Sequence, residues 1–279
     1  MVTSPRGNSY VVDTPLGAIE YGERGAGSPV LISHGSAGGY DQGLLIAHAL
    51  GGPYRFVCPS RAGYLRTASS VATTPSGQAR AHAALLDALG IDGAAIVGVS
   101  AGGMSAAVFA LEHPERCRAL VLISAIVDGS RPPIRLRARA ALLRLGPMFR
   151  LLSLLPPLTL ARLARVPRDA RALIAQDAEA QGILRGFLVP LPTRVRRAGM
   201  VRDTDQAAAL RKLALERIVT PTLTVHGRAD AILPFTYAER LASRLPRVTL
   251  LPVDGDHYCL ITHRAMIGPA VASFLAAPT

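Results

Sequence analysis

The residues most able to do chemistry are Gly98-Val99-Ser100-Ala101-Gly102. The apolar, β-branched run Ala94–Val99 predicts a strand, and Ala101–Glu112 predicts the helix after it. A serine on so tight a strand-to-helix turn is held in a strained backbone conformation with its hydroxyl exposed. Side chains two residues before and after it would collide, so both positions favour glycine. The following helix aims its N-terminus at the site, where its free N–H groups favour negative charge. The chemistry such a serine performs is nucleophilic attack on a carbonyl carbon. It needs a general base within hydrogen-bond reach and a third group to orient that base.

The rest of the chain must supply and position those partners. Two short strand-like runs, Tyr10–Asp13 and Ala18–Glu23, flank the turn residues Thr14-Pro15-Leu16-Gly17. Strands are then expected at Pro29–Ser33, Arg55–Cys58, Ala94–Val99, Arg118–Ser124, Pro221–Val225 and Val248–Val253. Helices are expected at Gly43–Leu50, Ser76–Leu89, Ala101–Glu112, Thr236–Arg244 and Arg264–Leu275, the second stopped by Gly90. This alternation predicts an α/β fold: a mostly parallel central sheet with helices on both faces. The rhythm breaks over residues 129–217, which are rich in Leu, Ala and Arg at helical spacing with several prolines. The expected organisation is a core of residues 1–128 and 218–279 with a helical, Arg-rich cap, or lid, of residues 129–217 inserted between two strands.

With the serine turn in that order of elements, the sequence resembles the α/β-hydrolase superfamily over nearly its full length, as a serine esterase-like member with a helical cap. The other motifs fall in the family's order. The loop Ser33-His34-Gly35-Ser36-Ala37-Gly38-Gly39 stands where the family carries a His-Gly oxyanion loop. The resemblance implies that the backbone N–H groups of Ser36 and Ala101 form an oxyanion hole. His34 is then a structural loop histidine. The segment His226-Gly227-Arg228-Ala229-Asp230 resembles the family's acid loop, which makes Asp230 the orienting carboxylate. Asp128, Asp254 and Asp256 are its rivals. Of the seven histidines, His257 in Asp254-Gly255-Asp256-His257-Tyr258 follows the last strand, where the family's base belongs, with His263 the fallback. The chain order Ser…Asp…His is the one expected of this fold. The loop Pro59–Thr67 resembles one that can line the entrance to the site, although its Arg61 and Tyr64 could equally pack locally.

The resemblance implies a carboxylic-ester hydrolase working through an acyl-enzyme, with no cofactor and no metal. Ser100 argues against the dehalogenases and epoxide hydrolases of this fold, which use a carboxylate nucleophile. A basic cap argues against proline iminopeptidases, which place acids there to bind an amine. Carbon–carbon bond hydrolases, lactonases and perhydrolases share the same triad and stay open. So does a receptor-like protein that uses the pocket only to bind ligand.

Charge and composition add limits. Residues 129–217 hold eighteen basic residues against six acidic ones, and the remainder is balanced, so this segment carries the whole net charge of +12. Its stretches Ile134–Leu145 and Met148–Leu160 mix apolar faces with Arg. Such a face either is solvated or meets an anionic partner, a lipid surface or an acidic group on the acyl substrate. No nucleic-acid motif accompanies the charge, and no nucleic-acid partner is expected. The N-terminal residues lack the apolar run of a signal peptide, and no stretch reaches eighteen uninterrupted apolar residues. Three widely spaced cysteines, Cys58, Cys117 and Cys259, suit a reducing cytoplasm better than a disulfide framework and match no metal site.

Overall fold

A computed structural model of the chain describes residues 8–127, 155–163, 166–188, 194–209 and 212–277. Among these, eight strands form one sheet: β1 Ser9–Val12, β2 Ile19–Arg24, β3 Ser28–Ser33, β4 Tyr54–Pro59, β5 Ala94–Val99, β6 Cys117–Ile123, β7 Thr222–Gly227 and β8 Val248–Val253. Their order in space is β1-β2-β4-β3-β5-β6-β7-β8. The first two strands run antiparallel to their neighbours, and every pairing from β4 to β8 is parallel. Alternate residues feed opposite faces, as strand geometry requires. Val30 and Ile32 enter one apolar core while Leu31 enters the other, and Val97 and Ile96 divide in the same way.

Helices cover both faces. The first core takes its side chains from α1, Tyr40–Leu50, and from the last helix. The second takes them from α2, Pro75–Ala88, and α3, Gly103–Glu112. The start of α2 is written locally: Thr74 caps it by accepting the Gly77 N–H, and Pro75 stands at the first turn. Its end follows from Gly90, which adopts φ 64° just past the helix. Between β6 and β7 the described residues form α4 Pro157–Leu163, α5 Arg168–Ala175, α6 Ala178–Leu188 and α7 Arg197–Ala209. Three helices follow: α8 Phe235–Ala242, α9 Cys259–Thr262 and α10 Arg264–Ala276. The stretch Ile134–Leu145, the rival acid Asp128 and Met148–Leu160 as far as residue 154 lie outside the described residues.

Two elements differ from the sequence expectation. The helix after β5 does not begin at Ala101: Ser100–Gly102 form a tighter 3-10 turn, and the α-helix starts at Gly103. Ser100 itself holds a left-handed φ of 50° within that turn. The short helix α9 has too few residues to show a period.

The strand order reverses about β3, with β4 on one side and β5 on the other. Ligand crevices of open α/β sheets lie beyond the carboxyl ends of the strands at such a point. All three cysteines are buried free thiols, and burial pushes them up, Cys117 and Cys259 to about 12. They are therefore protonated and shielded at neutral pH. Ellman's reagent at pH 8 is expected to find no thiol in the native protein and three after denaturation. A thiol titrating in native buffer would contradict this packing.

Candidate active site

The ends of β3, β5, β7 and β8 bring the site together. Ser33 pairs with Gly98 across β3 and β5, so the loop after β3 starts beside the turn that carries Ser100. The contact there is backbone on backbone. A Cβ added to Gly102 would lie 2.0 Å from the Ser33 carbonyl oxygen, and one on Gly98 would lie 2.6 Å from the Ala106 Cβ. Both positions flanking the serine thus demand glycine for lack of room, as the pentapeptide predicted. The Ser100 carbonyl is held by the Ile126 N–H at 2.8 Å, which ties the turn to the chain leaving β6.

β7 delivers the acid and β8 the imidazole. Beyond β7, the Arg228 and Ala229 N–H groups donate to the carbonyls of Val253 and Gly255, locking the two loops to each other. His257 Nε2 lies 3.1 Å from Ser100 Oγ, and its Nδ1 lies 2.7 Å from Asp230 Oδ2. Ser100 and His257 are half-buried, whereas Asp230 is buried. Asp230 Oδ1 accepts the N–H groups of Ile232 and Leu233, each at 2.8 Å. Burial works to raise the Asp230 carboxyl, but the hydrogen bond and charge of His257 and the Leu233 N–H hold it below the usual carboxylate range. His226 also approaches Asp230, at 3.4 Å, while its Nε2 bonds the Leu233 carbonyl. Burial lowers this second imidazole, which favours its neutral form.

The rival residues are occupied elsewhere. Asp254 is exposed and meets Arg228, and Asp256 accepts the N–H of Tyr258 within its own loop. His263 Nδ1 bonds Thr262 Oγ1. His34 is fully buried, with Nε2 accepting the Arg61 N–H at 3.0 Å and Nδ1 donating to the Gly35 carbonyl at 2.7 Å. Burial, then the nearby Arg61 charge, hold it well below the ordinary histidine value, so it is a neutral loop residue. Ala101 follows the serine directly, and a Cβ on Gly35, the residue before Ser36, would lie 3.4 Å from the Ser100 Cβ. The two residues expected to offer oxyanion donors therefore flank Ser100 from two different loops. Behind Ala101 lies a small apolar cluster of Met104, Ile126, Ala207 and Leu233.

A sequence model described as alpha/beta hydrolase fold matches residues 28–264. The chain belongs to that family. As a family member it is 31% identical over 265 residues to the 2-hydroxymuconate semialdehyde hydrolase of Pseudomonas putida, 91% of this chain and 89% of that one. It is 34% identical to the uncharacterized hydrolase YcgS of Bacillus subtilis, and that match spans 39% of each chain. Among solved structures, an alpha/beta hydrolase fold protein from Nakamurella multipartita superposes with a TM-score of 0.80 at 29% identity, covering 96% of this chain and 99% of the other.

One group beside the site was not singled out from the sequence. Asp203 on α7 is buried and pairs with both Arg61 and Tyr64. A signal for it does exist. Gly199, Asp203 and Ala207 recur every four residues and are all buried, so the acid interrupts a stripe of small residues.

The Asp230 shift has a consequence for stability. The unfolded carboxyl, with a pKa of about 3.9, binds more protons than the folded one across the interval between the two values. Its stabilising contribution is present above that unfolded value and is lost as pH falls through the lower, folded one. Urea unfolding from pH 7 down to pH 3 is expected to show the gap between wild type and Asp230→Asn narrowing below about pH 4. A gap that stays constant or widens on acidification would contradict an ionised, His257-bound Asp230.

Proposed function

We propose that this hydrolase is a serine esterase, with Ser100 as nucleophile, His257 as general base and Asp230 as the group that orients and stabilises the imidazole. The observation that carries the reading is the continuous chain of two hydrogen bonds, Ser100 Oγ to His257 Nε2 at 3.1 Å and His257 Nδ1 to Asp230 Oδ2 at 2.7 Å. Ser100 Oγ attacks the carbonyl carbon of a carboxylic ester as its proton passes to His257 Nε2. Negative charge then develops on the carbonyl oxygen, where the N–H groups of Ser36 and Ala101 receive it. Collapse expels the alcohol, which takes the proton from His257 and leaves an acyl group on Ser100. A water molecule deprotonated by His257 attacks that acyl group and releases the acid. A cytoplasmic setting fits the three buried free thiols.

A second substrate class has specific support. The 31% identity with a 2-hydroxymuconate semialdehyde hydrolase over nine-tenths of the chain favours a carbonyl compound whose hydrolysis breaks a carbon–carbon bond. The same nucleophile, base and oxyanion donors serve both reactions.

Turnover of a p-nitrophenyl acyl ester series and of 2-hydroxymuconate semialdehyde separates the two. The ester reading expects the higher kcat/KM on an ester. In either case Asp230→Asn should lower kcat by about 10⁴-fold through the wrong imidazole tautomer. Ser100→Ala should lose turnover by at least as much. Equal rates in wild type and Ser100→Ala would refute the assignment, and a wild type that turns over neither substrate would favour a protein that only binds its ligand.

A further inference from the structure

The loop that carries Ser36 is held by a buried ion pair whose acid comes from the segment between β6 and β7. Arg61 and Asp203 are 4% and 5% exposed. They meet end-on, Nη1 to Oδ1 at 2.6 Å and Nη2 to Oδ2 at 2.7 Å. Two further Arg61 N–H groups go to the loop: Nε to the His34 carbonyl at 2.9 Å and Nη2 to the Gly35 carbonyl at 3.2 Å. Tyr64 completes the unit. Its hydroxyl donates to Asp203 Oδ2 at 2.5 Å and accepts the Ala37 N–H at 3.2 Å. The chain bearing Asp203 is seated by backbone contacts, Gly199 N–H to the Gly63 carbonyl at 2.9 Å and Leu65 N–H to the Val195 carbonyl at 2.8 Å.

The Gly35–Ser36 peptide is the part that matters for chemistry. Its carbonyl accepts from Arg61 Nη2, from His34 Nδ1 and, at 3.3 Å, from the Gly38 N–H. No peptide bond among the described residues is cis. In a trans peptide the C=O and N–H point in opposite directions. Pinning the Gly35 carbonyl on the Arg61 side therefore turns the Ser36 N–H away from Arg61 and leaves it free to face a ligand. We infer that Arg61, Asp203 and Tyr64 are positioning residues that fix the direction of the Ser36 N–H, so that α7 governs the oxyanion geometry. The inference rests on the serine-hydrolase reading above.

A bidentate arginine is suited to this task because its planar fork holds two carbonyls and one carboxylate in fixed relative positions. A displaced oxyanion donor acts on the transition state and hardly at all on substrate binding, so the effect belongs in kcat. Removing Asp203 alone would leave Arg61 charged and unpaired in the interior, which endangers folding. The test therefore uses the double variant Arg61→Met with Asp203→Leu, which removes both charges together, and separately Tyr64→Phe.

The readouts are kcat and KM for p-nitrophenyl butyrate, the inhibition constant of a trifluoromethyl ketone, and thermal melting. The double variant is expected to melt cooperatively, keep KM within about twofold and lose about 30- to 100-fold in kcat. Affinity for the ketone, whose hemiketal oxyanion occupies the same donors, should fall by a similar factor. Tyr64→Phe should lose about tenfold in kcat with KM unchanged. A merely structural role would lower the melting temperature and the active fraction, yet leave the inhibition constant of the surviving active molecules unmoved. Unchanged kcat in the folded double variant would overturn the inference, as would a fall in kcat without weaker ketone binding. Should the double variant not fold, Tyr64→Phe decides, and full kcat there overturns it. Failure of the serine-hydrolase reading itself would be seen separately, as wild type and Ser100→Ala hydrolysing the ester alike.

Discussion

Everything at the site depends on how closely the turn after β5 presses against the end of β3. Gly102 lies against the Ser33 and His34 carbonyls with no room for a methyl group, and Gly98 against α3 in the same way. That approach forces Ser100 into a left-handed φ of 50° and sets it beside the loop that begins at His34. Strain of this kind persists only where surrounding structure over-determines it. Here the Ile126 N–H on the Ser100 carbonyl and the Ser33–Gly98 strand register do so. The imidazole and carboxylate then need only reach a serine whose place is already set, and the locked β7 and β8 loops let them.

How much of this is legible in the sequence follows from how local each cause is. The strands are apolar runs that declare themselves within six residues, and Ser100, Asp230 and His257 each fall just past the end of one. Their meeting follows from the parallel order of β5, β7 and β8, which strand–helix alternation already predicts. Glycines on both sides of Ser100 are likewise a local signature, whereas the 3-10 turn that replaces the first residues of α3 is the backbone's answer to a close approach from another strand. The Arg61–Asp203 pair is different in kind. Its members stand 142 residues apart, and although the four-residue spacing marks Asp203 as inward-facing, nothing local names its partner. Nothing short of the docking of α7 reveals that Arg61 is turned inward toward the loop carbonyls.

That docking also changes the meaning of the charge excess. Residues 129–217 carry the whole net charge of +12, which on sequence grounds is either solvated or meets an anionic partner. Part of that charge is already engaged internally. Arg196 is buried against Asp41 and the Gly38 carbonyl, and Arg202 caps the Ser69 and Ala72 carbonyls. These arginines bind loops of the sheet's active end to α7 and to the turn before it. Arginine suits this work because one side chain satisfies several carbonyls and a carboxylate at once. The described residues around α7 are therefore anchored at the site by the same residue type that sets the segment's net charge.

The turn after β5 is proposed to carry an activated nucleophile at Ser100. The most direct test is covalent labelling of the native protein with a fluorophosphonate, followed by peptide mass spectrometry. One phosphonyl adduct per chain is expected, on the hydroxyl of Ser100, formed in native protein and lost on denaturation before labelling. An adduct on another residue, or none on native protein, would contradict this proposal.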